Sequence, residues 1–95
     1  MNKYVCGVDT NQSEIVQAFE RMGCKVLDLT RVGGGCTDLL VHAGMEYVYL
    51  VEVKVPGGKL NPKQHEFHDN WPCHIVSSVD EVISLVKEWR EVWTQ

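Results

Sequence analysis

The sequence contains no apolar run long enough to cross a bilayer, no internal repeat, no low-complexity tract and no stretch that reads as a linker between domains. Membrane-spanning, solenoid and multidomain architectures are excluded on those grounds. A chain of 95 residues buries roughly 60–65% of its unfolded surface, so one modest core is expected, in a single domain over residues 1–95. Met1-Asn-Lys-Tyr-Val lacks the apolar centre of a secretory signal. The four cysteines (Cys6, Cys24, Cys36 and Cys73) are scattered and form no CxxC pair, which with no secretory signal argues against a disulfide framework. Reduced thiols and a cytoplasmic setting are therefore expected. Basic residues are also scarce, 9 Lys and Arg against 13 Asp and Glu, for a net charge of −4. A broad basic footprint for nucleic acid is absent, so any contact with phosphate must be local. One local cluster exists: Lys54, Lys59 and Lys63 fall within ten residues around Gly57-Gly58, and Lys59 and Lys63 are candidate DNA-binding residues.

What the sequence does have is the run Tyr47-Val-Tyr-Leu-Val-Glu-Val-Lys54. Side chains alternate across a strand, so Val48, Leu50, Glu52 and Lys54 share one face and Tyr47, Tyr49, Val51 and Val53 the other. The first face begins apolar and ends ionic, as expected of a strand that leaves a core and enters a site. Thr37-Asp-Leu-Leu-Val-His-Ala43 reads as a preceding strand, joined by a short Gly44-Met45 link. Antiparallel pairing across that turn returns Asp38 to the level of Glu52 and Lys54. Two carboxylates and a lysine then meet at one end of a hairpin. Carboxylate oxygens suit a hard cation such as Mg²⁺ or Mn²⁺, and a lysine beside them can orient a nucleophile or offset charge.

Around this hairpin the spacing predicts three helices and two more strands. Asn11-Gln-Ser-Glu14 has capping-box spacing, followed by Ile15, Val16, Phe19 and Met22 at helical intervals, with Gly23 as the stop. Lys25–Arg31 reads as a strand with Leu27 and Leu29 on one face, and Arg31-Val-Gly-Gly-Gly35 as a loop. A further strand at Lys3–Cys6 is an open alternative. Asn61-Pro62 opens a second helix that Trp71-Pro72 ends. Cys73–Val76 is a short strand. Ser78-Val-Asp-Glu81 is another capping box, opening a helix with Val79, Val82, Ile83, Val86, Trp89 and Trp93 on one stripe. The predicted order is α-β-β-β-α-β-α, an α/β (mixed α+β) domain with a mixed sheet flanked by helices.

Several residues carry two readings each. Glu52 and Lys54 form either a solvated ion pair or a site, and the apolar run with Asp38 across the hairpin favours the site. Glu14 and Gln64 each stand three after an asparagine, where capping alone explains them. His65 and His68 lack further ligands at zinc spacing and read as surface residues. Trp89 and Trp93 read as core or dimer interface rather than base-stacking groups.

Asp38 followed by Glu52-Val53-Lys54 resembles the PD-(D/E)xK nuclease signature. Gly33-Gly-Gly35, Thr37-Asp38-Leu39, Glu52-Val53-Lys54, Pro56-Gly57-Gly58-Lys59-Leu60 and Asn61-Pro62-Lys63-Gln64, in that order, resemble the VRR-NUC (virus-type replication-repair nuclease) family over roughly residues 11–76. Thr37 stands where a proline often precedes the metal-binding aspartate. The resemblance implies a restriction-endonuclease-like core and a Mg²⁺- or Mn²⁺-dependent endodeoxyribonuclease. Asp38, Glu52 and the Val53 carbonyl would hold the metal, Lys54 and Gln64 would act on water or substrate, and Glu14 would be a further metal ligand. It also implies a minimal, free-standing form of bacterial or phage origin, acting as a homodimer on branched DNA such as a four-way (Holliday) junction. A catalytically silent nucleic-acid-binding domain and a small α/β protein-interaction module remain as alternatives.

Overall fold

The computed structural model describes residues 10–94, so the alternative strand at Lys3–Cys6 lies outside the described residues. The elements run α1 (Gln12–Arg21), β1 (Lys25–Asp28), β2 (Leu39–Gly44), β3 (Tyr47–Val53), α2 (Pro62–Asn70), β4 (Cys73–Val76) and α3 (Val79–Trp93). This is the expected order. The strands make one mixed sheet in sequence order, with β1, β2 and β3 antiparallel and β4 parallel to β3. Parallel strands cannot be joined by a tight turn, and α2 is the crossover between β3 and β4.

Alternation along β3 sorts the two faces of the sheet. Val51 and Val53 join Leu39, Val41 and Val76 in a core that α1 fills with Ile15 and Phe19, and α3 with Val82, Val86 and Trp89. Glu52 lies between Val51 and Val53 and therefore points to the opposite face, where α2 sits. None of α2's side chains is fully buried.

Of the two readings of the α3 stripe, core and dimer interface, the structure shows the first. Val82 and Val86 are fully buried, and Trp89 is stacked on Phe19 (6.1 Å) and Tyr49 (3.8 Å). Trp93 stacks on Tyr47 at 4.7 Å and donates its indole N–H to the Tyr49 hydroxyl. The aromatic start of β3, Tyr47 and Tyr49, is thus packed against α3 from within the chain.

Other departures have local causes. β1 ends at Asp28 rather than Arg31 because the Asp28 carboxylate accepts from the Thr30 backbone N–H and hydroxyl (2.7 and 2.6 Å), a turn that competes with strand pairing. The same bonds hold the Asp28 carboxyl below its usual pKa. Leu27 is not on the core face: Val26 pairs with core Val41 and packs inward, leaving Leu27 exposed. The hairpin turn is Met45-Glu46, with Gly44 held in the strand at φ +133°, where a β-carbon would lie 3.1 Å from the Trp93 ring. Ser78 accepts from the Glu81 N–H as expected, but Glu81 reaches back to the Ser77 N–H rather than to its own cap residue.

His74 lies edge-on to Tyr49 and Trp89 at 5.7 and 5.3 Å. Burial holds its pKa below the ordinary imidazole value, against the opposing pull of Glu88. His68 is displaced in the same direction. The unfolded chain therefore binds more protons than the folded one once the pH drops through about 6.5, the unfolded histidine value. Stability is full above that value and is lost as pH falls towards the depressed folded values. A urea midpoint that falls between pH 7 and pH 5 is expected, and His74→Phe should flatten part of the fall. A parent midpoint that is flat across the window would contradict this assignment.

Candidate active site

Asp38 sits one residue before β2 begins. Its carboxylate Oδ2 accepts the Val53 backbone N–H at 2.8 Å, and its carbonyl accepts from the Leu29 N–H at 2.7 Å. The first bond follows from strand geometry. The Lys54 N–H is given to the Val76 carbonyl of β4, so the Val53 N–H must point the other way, towards β2. The Asp38 side chain supplies the acceptor just where regular pairing of β2 stops. A residue's N–H and C=O point to the same side of an extended strand, which also directs the Val53 carbonyl towards Asp38.

Glu52 is 2% exposed. The expected gradient along its face is thus reversed in burial: Val48 is 55% exposed, Leu50 is half-buried and the carboxylate is enclosed. The ionic end of β3 is the buried end. A buried carboxylate is costly unless charge and hydrogen bonds compensate it, and two groups do so at Oε2. Lys54 Nζ lies 3.8 Å away, with its side chain 15% exposed, and Gln64 Nε2 donates at 3.2 Å.

Gln64 caps its helix, and the cap in turn directs its amide towards Glu52. The capping box at Asn61 is complete: the Gln64 N–H donates to Asn61 Oδ1, and Gln64 Oε1 accepts from the Asn61 N–H, each at 2.9 Å. With the amide oxygen held by the helix cap, the amide nitrogen has only one direction left, towards Glu52. Sequence spacing exposes the cap but not this consequence.

The first helix behaves differently. The capping box expected at Asn11–Glu14 does not form, because Asn11 turns its amide away from the helix. Asn11 Nδ2 donates instead to the Lys54 and Ser77 carbonyls at 3.1 and 3.0 Å. This lashes the start of α1 to the adjacent ends of β3 and β4 and steadies the backbone of Lys54. Glu14 is exposed one turn further on. Among the described residues no three His, Cys, Asp or Glu side chains come together as a cation site. Lys59 and Lys63 are both exposed, near the start of α2.

His68, expected to be a plain surface residue, belongs to this region. It follows Gln64 by four on α2, hence on the same helix face. Its Nε2 is buried and has no hydrogen-bond partner among the described residues. Burial, then the charges of His65 and Lys54, lower its pKa, with Asp69 opposing. The Cys73 thiol is pushed up by burial, and then by the nearby Cys36 and Glu52. The i, i+4 relation of Gln64 and His68 was the available sequence signal for the histidine. Nothing in the spacing signalled Asn11's long-range role.

Chemically, the site offers hard oxygen donors from two strands, with a cation and an amide donor at the same carboxylate. Asp38, Glu52 and the Val53 carbonyl fit Mg²⁺ or Mn²⁺, which take one or two carboxylates and complete their shell with water and phosphate oxygen. No family model, curated protein or solved structure matches the chain.

Proposed function

We propose that the chain is a divalent-metal-dependent endonuclease with a PD-(D/E)xK-type core, hydrolysing phosphodiester bonds in DNA. The observation that carries this reading is the convergence on Glu52 Oε2 of Lys54 from the same strand and Gln64 from the crossover helix, with Asp38 fixed beside them by the Val53 N–H. A carboxylate buried to 2% exposure with a lysine and an amide on one oxygen is an expensive arrangement for a structural ion pair, and a natural one for a hydrolytic centre. Asp38, Glu52 and the Val53 carbonyl would hold Mg²⁺ or Mn²⁺, which supplies a more acidic bound water and neutralises charge on the phosphoryl group.

The protein's own residues do the rest. Lys54, drawn towards Glu52 at 3.8 Å, holds a positive charge where the nucleophile approaches and charge develops on phosphate. Gln64 keeps the carboxylate from rotating and offers its amide to water or substrate. Asn11 fixes the Lys54 backbone through its carbonyl. Exposed Lys59 and Lys63 meet the nucleic-acid backbone as point charges. Branched DNA is the substrate class this reading favours, because a chain with net charge −4 grips a smooth duplex poorly.

The test is cleavage of a labelled four-way junction and of its linear duplex arm, with Mn²⁺ and with EDTA. Metal-dependent nicking is expected, faster on the junction. Lys54→Ala should lower the rate about a hundredfold or more while DNA affinity changes by less than about threefold, within what one exposed phosphate contact contributes. Equal losses in rate and affinity would reduce Lys54 to a phosphate contact, and no cleavage of either DNA with Mn²⁺ would remove the nuclease reading.

A further inference from the structure

Helix α2 ends in an aromatic pair that the hydrolytic reading does not use. Phe67 and Trp71 stand four apart, and their rings stack at 5.7 Å between centroids and 14° between planes. Such a pair on a helix beside a sheet ordinarily packs into the core. Here Trp71 stays 54% exposed, and no residue of the helix is fully buried. The Trp71 backbone is nevertheless fixed, since its N–H donates to the Phe67 carbonyl at 2.9 Å. One large ring is thus backed by a second, anchored at its backbone and open to solvent.

We propose that Trp71, supported by Phe67, is a stacking platform for an unpaired nucleobase next to the candidate active site. The ligand class is single-stranded or splayed nucleic acid, and the inference deepens the nuclease reading by naming what the site accepts beside the scissile phosphate. Position supports it. Seven residues of helix separate Trp71 from Gln64, about 10 Å at 1.5 Å per residue, a length that about three stacked nucleotides span at 3.4 Å each. Gln64 touches Glu52, so a strand whose phosphate lies at the site brings a neighbouring base to the ring. Charge supports it too. A chain with an excess of acidic residues gains little from long-range attraction to phosphate, whereas stacking depends on the π-face of a base and tolerates any sequence. Pairing hides that face inside a duplex, so the platform distinguishes open strands from closed ones. A platform already ordered by Phe67 and by its own backbone bond loses little freedom on binding.

The experiment uses the full chain carrying Glu52→Gln, so that nothing is cut, titrated with a short oligodeoxythymidine and separately with a blunt duplex of equal length. Tryptophan emission reports the contact, because Trp71 is exposed while Trp89 is 5% exposed within the core and Trp93 is partly buried against Tyr47. The single strand is expected to quench the solvent-exposed component and the duplex to leave it unchanged. Adding Trp71→Ala should remove that quenching and weaken oligodeoxythymidine binding about tenfold or more, and Trp71→Phe should restore most of the affinity. Retention of the buried Trp89 emission shows that the variants fold. Equal affinity for oligodeoxythymidine with and without Trp71, or equal quenching by both DNAs, would overturn the proposal. Cleavage by the unsubstituted chain with Mn²⁺ is scored separately. Trp71-dependent binding without any cleavage supports the platform and removes the nuclease reading. Cleavage with Trp71-independent binding does the reverse.

Discussion

Glu52→Gln is expected to abolish metal-dependent cleavage, lowering the rate by about a hundredfold or more, while leaving the domain folded. The substitution keeps volume at a position that is 2% exposed, so no cavity opens beneath it. An amide oxygen at position 52 can still accept from Gln64, which donates to Oε2 at 3.2 Å. The negative charge is what disappears, and with it one of the two carboxylates able to hold a cation. Removing one partner of an enclosed ion pair is destabilising when the other charge is trapped. Lys54 is not trapped, with 15% of its side chain already in solvent, and it can turn outward. The carboxylate's own desolvation cost is relieved at the same time. The two effects oppose each other, and a change in stability of less than about 1 kcal/mol is expected. The rate of junction nicking and the thermal midpoint, measured on one preparation, decide the matter. Parental cleavage by Glu52→Gln would mean that Glu52 is a structural charge. Lost cleavage with a collapsed midpoint would mean that it is a folding determinant.

The parts of this arrangement that could be read from the chain are those with short-range causes. Alternation in Tyr47–Lys54 placed Glu52 and Lys54 together, and the hairpin brought Asp38 to their level, because strand period and a two-residue turn leave little freedom. The element order came from caps and apolar spacing of the same local kind. What could not be read depends on which face of an element meets which partner. The near-complete burial of Glu52 could not be read, because nothing in β3 itself announces that α2 will cross over it. Asn11 and Glu14 matched a capping box, yet the Asn11 amide found two carbonyls 43 and 66 residues away, and a local motif gave way to tertiary bonds. The Val82–Trp93 stripe was visibly apolar. Its partner could equally have been a second chain, and only the positions of Phe19, Tyr47 and Tyr49 make that partner internal.

Gly35→Ala should weaken the site from a distance, by moving helix α2 rather than any group that acts on substrate. Gly35 has φ +82°, and a β-carbon there would lie 2.2 Å from the Lys63 carbonyl oxygen, 2.5 Å from its carbon and 3.0 Å from the Gln64 nitrogen. These are backbone atoms of the first turn of α2, which cannot turn aside as a side chain would. Since α2 buries no residue fully, it has little apolar packing to resist displacement. Its place depends on the close approach at Gly35 and on the Gln64–Glu52 bond, so the helix should shift and carry the Gln64 amide away from Oε2. Gly33→Ala is the matched control. Gly33 has φ +78°, and a β-carbon there would meet no atom within 4 Å, so it incurs only the left-handed conformational cost of about 1–2 kcal/mol. Gly35→Ala adds overpacking, typically about 1–3 kcal/mol more. The expected result is a lower urea midpoint for Gly35→Ala than for Gly33→Ala. Mn²⁺-dependent cleavage should fall about tenfold or more in the first, the scale of one misplaced supporting contact, and stay near parental in the second. Mn²⁺ binding through Asp38 and Glu52 should survive in both, because the atoms nearest a β-carbon at Gly35 belong to α2 and a β-carbon at Gly33 meets nothing within 4 Å. Equal losses of stability and rate in the two variants would mean that the glycines serve only the loop's backbone, and that α2 is held in place by something other than this contact.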